Sequence, residues 1–279
     1  MTDPPAGAAP FEQSLACPGM PAWLPPVLRT LHDGQNPATA ARWGSRVNDS
    51  LHALGRTRGE AHPPWEVVHD WQARTVVPLM LQACQPHTCE PAACEPAAAL
   101  RQLHVRAAAG ERIGQGQWQA VLEPALHELY RHAYGYASAY ATAHASASAY
   151  ASANDFSQSG AVQFANSYAE LSTEANRQSY ARSNAVANAA VLAVAYASGE
   201  DQAYAEAYPF ALLHACAHAF ANRQRPAGEQ AGLAGAEPAG EQSTPEVERR
   251  AAYTRLADGL ADSLDNLASL DIVRPESAR

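Results

Sequence analysis

From Ala133 to Ala221 the chain alternates with a period of two. Alanine holds 29 of the 45 odd-numbered positions there and one of the 44 even-numbered ones, Ala190, while nine of the eleven tyrosines are even-numbered. Period two is the signature of a strand. A β-solenoid over 133–221 keeps that phase if every coil has an even number of residues. Two features oppose it. Alanine is the best helix former and is depleted in strands. Solenoid coils also need frequent turns, yet Gly160 is the only glycine between Gly135 and Gly199, and no proline comes before Pro209. A second period supports helices. Tyr136, Tyr140 and His144 are four apart, as are Phe164 and Tyr168, and Asn176, Tyr180, Asn184 and Asn188, which places neighbours on one side of a helix. Breaks are expected at Asn154–Asp155 and at Gly199, with a new helix from Glu200 or Asp201. In a helix successive odd positions are 200° apart, so no face is expected to be alanine alone.

Elsewhere the apolar spacing is helical. "AWLPPVLRTLHDG" (22–34) predicts a short helix ending at Gly34. "NPATAARWGSRVNDSLHALG" follows, with Asn36 as N-cap, Pro37 at the first helical position and Gly55 as C-cap. Residues 63–84 carry Trp65, Val68, Trp71, Val76, Leu79 and Met80 at helical spacing, with a kink at Pro78. "QPHTCEPAACEPA" reads as a loop, 98–110 as a short helix, and a long helix opens near Gln115. Residues 1–20 read as a disordered tail. "NRQRPAGEQAGLAGAEPAGEQSTP", which repeats "PAGEQ", reads as a flexible linker at 223–243. After a cap at Ser243 or Thr244, Tyr253, Leu256, Leu260, Leu264 and Leu267 form one face of a helix within 244–279. The expected fold is all-α: an Ala/Tyr-rich helical bundle over 21–222, made of short helices to 132 and the alternating region beyond. A C-terminal amphipathic helix is tethered to it by the linker. The β-solenoid is the alternative.

Composition narrows the chemistry. All 19 basic residues are arginine, so the chain has no lysine. That excludes a phosphate-loop lysine, a Schiff-base lysine and a kinase ATP lysine of its own. It also suggests a GC-rich, actinobacterial source. The net charge is −9 without a basic cluster, which argues against nucleic acid as a partner. The first twenty residues lack the pattern of a signal peptide, and no run of about 18 apolar residues occurs. A cytoplasmic protein is expected, not associated with a membrane. Its five cysteines would then be thiols or metal ligands rather than disulfides.

Three clusters could carry chemistry. Cys84, His87, Cys89 and Cys94 lie within eleven residues and offer zinc-type ligands, but at no standard spacing, and "CEPAACEPAAA" reads as a duplicated pentapeptide in a solvated loop. His214 and His218 are four apart and could share a metal, without the adjacent carboxylate of a metalloprotease helix. Glu123/His127 and Glu128/His132 are also four apart and read as surface ion pairs. No phosphate loop, nucleophile elbow or kinase signature is present, and no cofactor is implied beyond zinc at these clusters.

With "WLPPVLRTLHDG", "RAAAGERIGQGQWQAVLEPALHELYRHAY", the Ala/Tyr alternation and "AEAYPFALLHACAHAFA" in view, the chain resembles the alanine-rich actinobacterial SpcZ-like family, named after a protein of a spectinomycin biosynthetic cluster. The resemblance covers about residues 21–222 and rests on composition. It implies a cytosolic protein linked to specialised metabolism and carries over no catalytic residue. The residues read best as a non-catalytic accessory, scaffold or interaction protein that meets a protein partner, or itself, through the Ala/Tyr helices. The alternatives are a metal-binding protein or metal-dependent enzyme using His214, His218 and the Cys84–Cys94 cluster, and a β-solenoid binding protein.

Overall fold

The computed structural model describes residues 20–58, 64–84, 91–223 and 245–270. Among them 88% are helical and no strand occurs, which removes the β-solenoid alternative. The helices in chain order are α1 (Leu24–Asp33), α2 (Pro37–Arg58), α3 (Glu66–Trp71), a π-helical turn (Gln72–Val76), α4 (Val77–Cys84), α5 (Pro91–Ala108), α6 (Gln115–Ala133), α7 (Tyr136–Ala153), α8 (Gln158–Ser198), α9 (Asp201–Glu206), α10 (Pro209–Asn222) and α11 (Pro245–Leu270). Apart from Met20 and Arg223, the expected tail and linker lie outside the described residues, and so do the cap at Ser243 or Thr244 and residues 271–279.

Local chemistry explains most boundaries. Asn36 Oδ1 accepts from the Ala38 amide at 3.0 Å and opens α2. That helix runs through Gly55 to Arg58, so Gly55 is not the C-cap it was expected to be. Its backbone stays helical, and a Cβ added there would meet nothing within 4 Å. The segment expected as a loop is helical from Pro91 onward. At Pro78 the expected kink takes the form of a π turn. Within it the Val77 amide donates to the Gln72 carbonyl, five residues back. In the same register the Ala73 carbonyl would face Pro78, which has no N–H. It accepts from Arg101 Nε instead, at 3.0 Å. Gly199, at φ 67°, ends α8 in the left-handed conformation that glycine adopts without strain.

The body packs α1–α6, the C-terminal half of α8, and α9–α11 around one core containing Trp23, Trp43, Trp71, Trp118, Leu28 and Leu126. The C-terminal helix is part of this core. Leu256, Leu260 and Leu264 are fully buried. The Trp43 and Trp71 indoles donate to the carbonyls of Ala257 and Leu256 at 2.8 and 2.9 Å. Arg46 pairs with Asp262 and Asp265 across the α2–α11 contact, at 2.6 and 2.7 Å. Two close approaches set the fit: a Cβ on Gly34 would strike the Tyr253 ring at 2.2 Å, and one on Gly259 would strike Thr75 at 2.1 Å.

The alternating region forms a different kind of structure. A four-residue turn joins α7 to α8, with Asp155 at φ 57° and Ser157 Oγ accepting from the Gly160 amide at 3.2 Å. The two helices pair as an antiparallel hairpin, and α8, 41 residues and roughly 60 Å long, continues into the body. Their seam is Ala139, Ala143, Ala147 and Ala151 against Ala165, Ala169 and Thr173, none more than 4% exposed. These positions are four apart, so an all-alanine stripe exists where none was expected. It uses every second odd-numbered residue, and the alternate alanines (Ala141, Ala145, Ala149) face outward. Four-residue spacing drifts about 40° per step. Along α8 the buried series resumes beyond Arg177 with Ala181, Ala185, Ala189 and Ala193, so the buried face turns from α7 towards α6 and the core.

Candidate functional site

The hairpin of α7 and the first half of α8 is an arm whose root is held by side-chain donors. Helix α6 ends with carbonyls that lack intrahelical partners. Arg177 donates to the carbonyls of Arg131 and Tyr134 at 2.8 and 3.1 Å. Asn222 Nδ2 donates to those of His132 and Ala133, both at 3.0 Å. Gly135 sits against this amide, where a Cβ would lie 3.0 Å from Asn222 Nδ2. Four consecutive carbonyls are thereby satisfied where the chain turns into the arm.

From Tyr134 to Ala169 the arm's outer surface is aromatic and almost uncharged, with Glu170, Glu174 and Arg177 following towards its root. Tyr136, Tyr140 and His144 stack along α7 with centroids 6.2 Å apart. Near the tip, Phe164 meets Tyr150, Phe156 and Tyr168 at 5.8, 5.5 and 6.2 Å. Tyr150 remains 57% exposed and Leu171 85%. Twelve large hydrophobic side chains are exposed among the described residues, and nine of them lie between Tyr150 and Val194. Between Tyr134 and Ala169 the only charged residue is Asp155; at the chain's 17%, those 36 positions would hold about six.

Of the predicted metal ligands, the side chains of Cys84, His214 and His218 are among those described. His87 and Cys89 lie outside the described residues, and so does the side chain of Cys94, although its backbone is on α5. Cys84 is a buried thiol, as is Cys216 on α10, whose pKa burial pushes up and the nearby Cys84 raises further. His214 and His218 do share a groove, of about 650 Å³, between α1, α10 and α11. His214 Nδ1 is hydrogen-bonded to the Tyr253 hydroxyl. Glu246, on the same groove, is paired with Arg249 and Arg250. Burial and the charge of Arg249 lower the pKa of both histidines. Among the described residues no group of three or more His, Cys, Asp or Glu is placed to hold a metal ion. Glu128 ion-pairs with Arg131 at 2.9 Å and lies 3.8 Å from His127 and from His132. Of the two expected pairs only Glu128/His132 comes close, and burial keeps that histidine's pKa down at about 4, so it is not a surface ion pair.

One cluster was not singled out from the sequence. His69 of α3 and His104 of α5 meet Nδ1 to Nδ1 at 3.0 Å, both buried. Trp118 of α6 stacks on His69 at 5.6 Å, and Tyr196 of α8 meets both histidines and Trp118. The Trp65 indole donates to His69 Nε2 at 3.0 Å, and Gln72 donates to the Tyr204 hydroxyl at 3.3 Å. Burial drives His69 down to about 4. It drives His104 well below the usual imidazole value, with His69 as the second cause. The available signal was His104 in register with Leu100 and Leu103 on an apolar helical face.

No helix among the described residues is long and apolar enough to cross a membrane. No protein-family model, curated protein or solved structure matches the chain.

Proposed function

We propose that this protein is a non-catalytic assembly protein that associates through the α7–α8 arm with a second copy of itself. The observation that carries this reading is the pairing of exposed rings with missing charge on the arm. A hairpin that ended its life in water would carry mixed charges on its outer faces. This one carries Tyr, Phe, Val and Leu among Ala and Ser, the composition of a surface meant to be covered. Two hairpins laid face to face form a four-helix bundle. The net charge of −9 makes most approaches between copies repulsive, and the arm is where that repulsion is least. An accessory role in specialised metabolism, which the family resemblance implies, fits such a protein, because scaffolds act by bringing other components together.

Light scattering on the size-exclusion eluate of the full chain tests the reading. The expected mass at micromolar concentration is that of an oligomer, falling to the 29.6 kDa monomer in a Tyr168→Asp/Leu171→Asp variant of unchanged helicity. A wild-type chain that stays monomeric throughout that range, or a variant that associates as well as wild type, overturns it.

A further inference from the structure

We propose that His104, Trp118 and Tyr196 enclose a site for one internal water molecule, shared between α5, α6 and α8. The argument starts from where the protons must be. An indole N–H only donates, so the bond from Trp65 Nε1 to His69 Nε2 requires a lone pair on that nitrogen. Neutral His69 then carries its proton on Nδ1 and donates it to His104 Nδ1. Neutral His104, accepting at Nδ1, carries its own proton on Nε2. That buried N–H meets no acceptor in the protein.

The Trp118 indole N–H shares its condition. The Tyr196 hydroxyl, also buried, has the Tyr204 hydroxyl as its neighbour and keeps a lone pair to spare. The three rings touch one another, with centroid separations of 4.8 Å (His104–Trp118), 4.8 Å (His104–Tyr196) and 5.0 Å (Trp118–Tyr196). Buried polar groups without partners are rare, and two N–H donors on touching rings, beside the spare lone pair of Tyr196, point to one shared answer. Two N–H donors and one hydroxyl are the partners a buried water needs. Its lone pairs accept from His104 Nε2–H and Trp118 Nε1–H, and one of its hydrogens goes to Tyr196 Oη. A halide would take the same donors, but it would put a full charge among uncharged rings. The water completes a hydrogen-bonded line from Trp65 through both histidines to Tyr196, joining α3, α5, α6 and α8.

Nitrogen-15 and proton NMR on the full chain tests the site. The expected result has the proton of His69 on Nδ1 and that of His104 on Nε2, with cross-relaxation from a long-lived water to the His104 Nε2 and Trp118 Nε1 protons. Tyr196→Phe, which removes only the hydroxyl, should shorten that water's residence. A proton found on His104 Nδ1, or no water signal at either N–H in the wild-type chain, overturns the proposal. A bromide peak at the site in anomalous diffraction overturns it in favour of a halide. An unchanged water lifetime in Tyr196→Phe overturns the three-point geometry.

Discussion

A valine scan along α7 separates the two sides of the helix. Ala143 and Ala147 lie on the seam against α8, at 3% and 4% exposure, while Ala145 and Ala149 point to solvent. Adjacent odd positions differ by 200° around the axis. Valine at a seam position adds two methyl groups where α8 already touches, and such overpacking costs roughly 1–3 kcal/mol. At Ala145 or Ala149 the expected cost is only the lower helix propensity of valine, at most about 0.7 kcal/mol. For a domain of this size, 1 kcal/mol moves the melting temperature by about 2–4 °C. Ala143→Val and Ala147→Val should therefore melt roughly 2–12 °C lower, and the outward pair within about 3 °C of wild type. Because an arm can open without the body, amide exchange along α7 should be followed beside the thermal melt. Equal damage at all four positions would return the region to a strand-like core in which every odd alanine is inside. No damage at any of them would mean that α7 does not pack on α8 at all.

Other consequences follow from single contacts. Gly259→Ala should destabilise by about 1–3 kcal/mol, since its Cβ falls 2.1 Å from Thr75 Oγ1; Thr75→Ala should recover part of the loss in urea melts, and an innocuous Gly259→Ala refutes the close approach. Gly55→Ala, inside α2 with nothing within 4 Å of the new Cβ, should instead stabilise by about 0.5–1 kcal/mol. Arg177→Ala should expose the α6 carbonyls at Arg131 and Tyr134 and raise amide exchange at the arm's root, and lysine, without the guanidinium fork, should not replace it. His69, His104 and His132 are held neutral with pKa values below those of the unfolded chain, so their stabilising effect is complete above about pH 6.5 and is lost as pH falls towards 4. The drop for His69 from 6.5 to about 4 corresponds to roughly 3 kcal/mol when fully titrated, and a urea midpoint unchanged between pH 7 and 4.5 would refute neutral burial.

What could be read from the sequence, and what could not, divides along a physical line. Elements governed by contacts a few residues apart were legible. The four-residue stripes of Tyr136–Tyr140–His144 and Phe164–Tyr168 distinguished helix from strand, and Gly199 and Asn154–Asp155 marked the breaks. The Tyr253–Leu264 face announced a helix with an apolar side. What escaped depends on partners far along the chain. Nothing near Gly55 shows whether the helix stops there, because a glycine permits a helix to end without requiring it. The π turn before Pro78 is stabilised by Arg101, 28 residues away. The pairing of His69 with His104 spans 35 residues and joins two helices that each look ordinary alone.

The alanine stripe shows how the two kinds of information combine. Parity alone treats all odd alanines as equivalent, and a single helix would spread them around its surface. A partner helix breaks that equivalence: every second odd alanine meets α8 and the rest meet water. The small seam residues let the two backbones come close, but alanine buries little apolar area, at about 25 cal/mol per Å². The arm must therefore be the less stable part of the chain by itself. Its root is held by Arg177 and Asn222 rather than by a wide apolar core, and its aromatic side chains lie outside the seam, where the hairpin alone cannot bury them. A second hairpin laid against that outer surface would add the apolar burial that the alanine seam lacks, so association and arm stability should rise together with concentration.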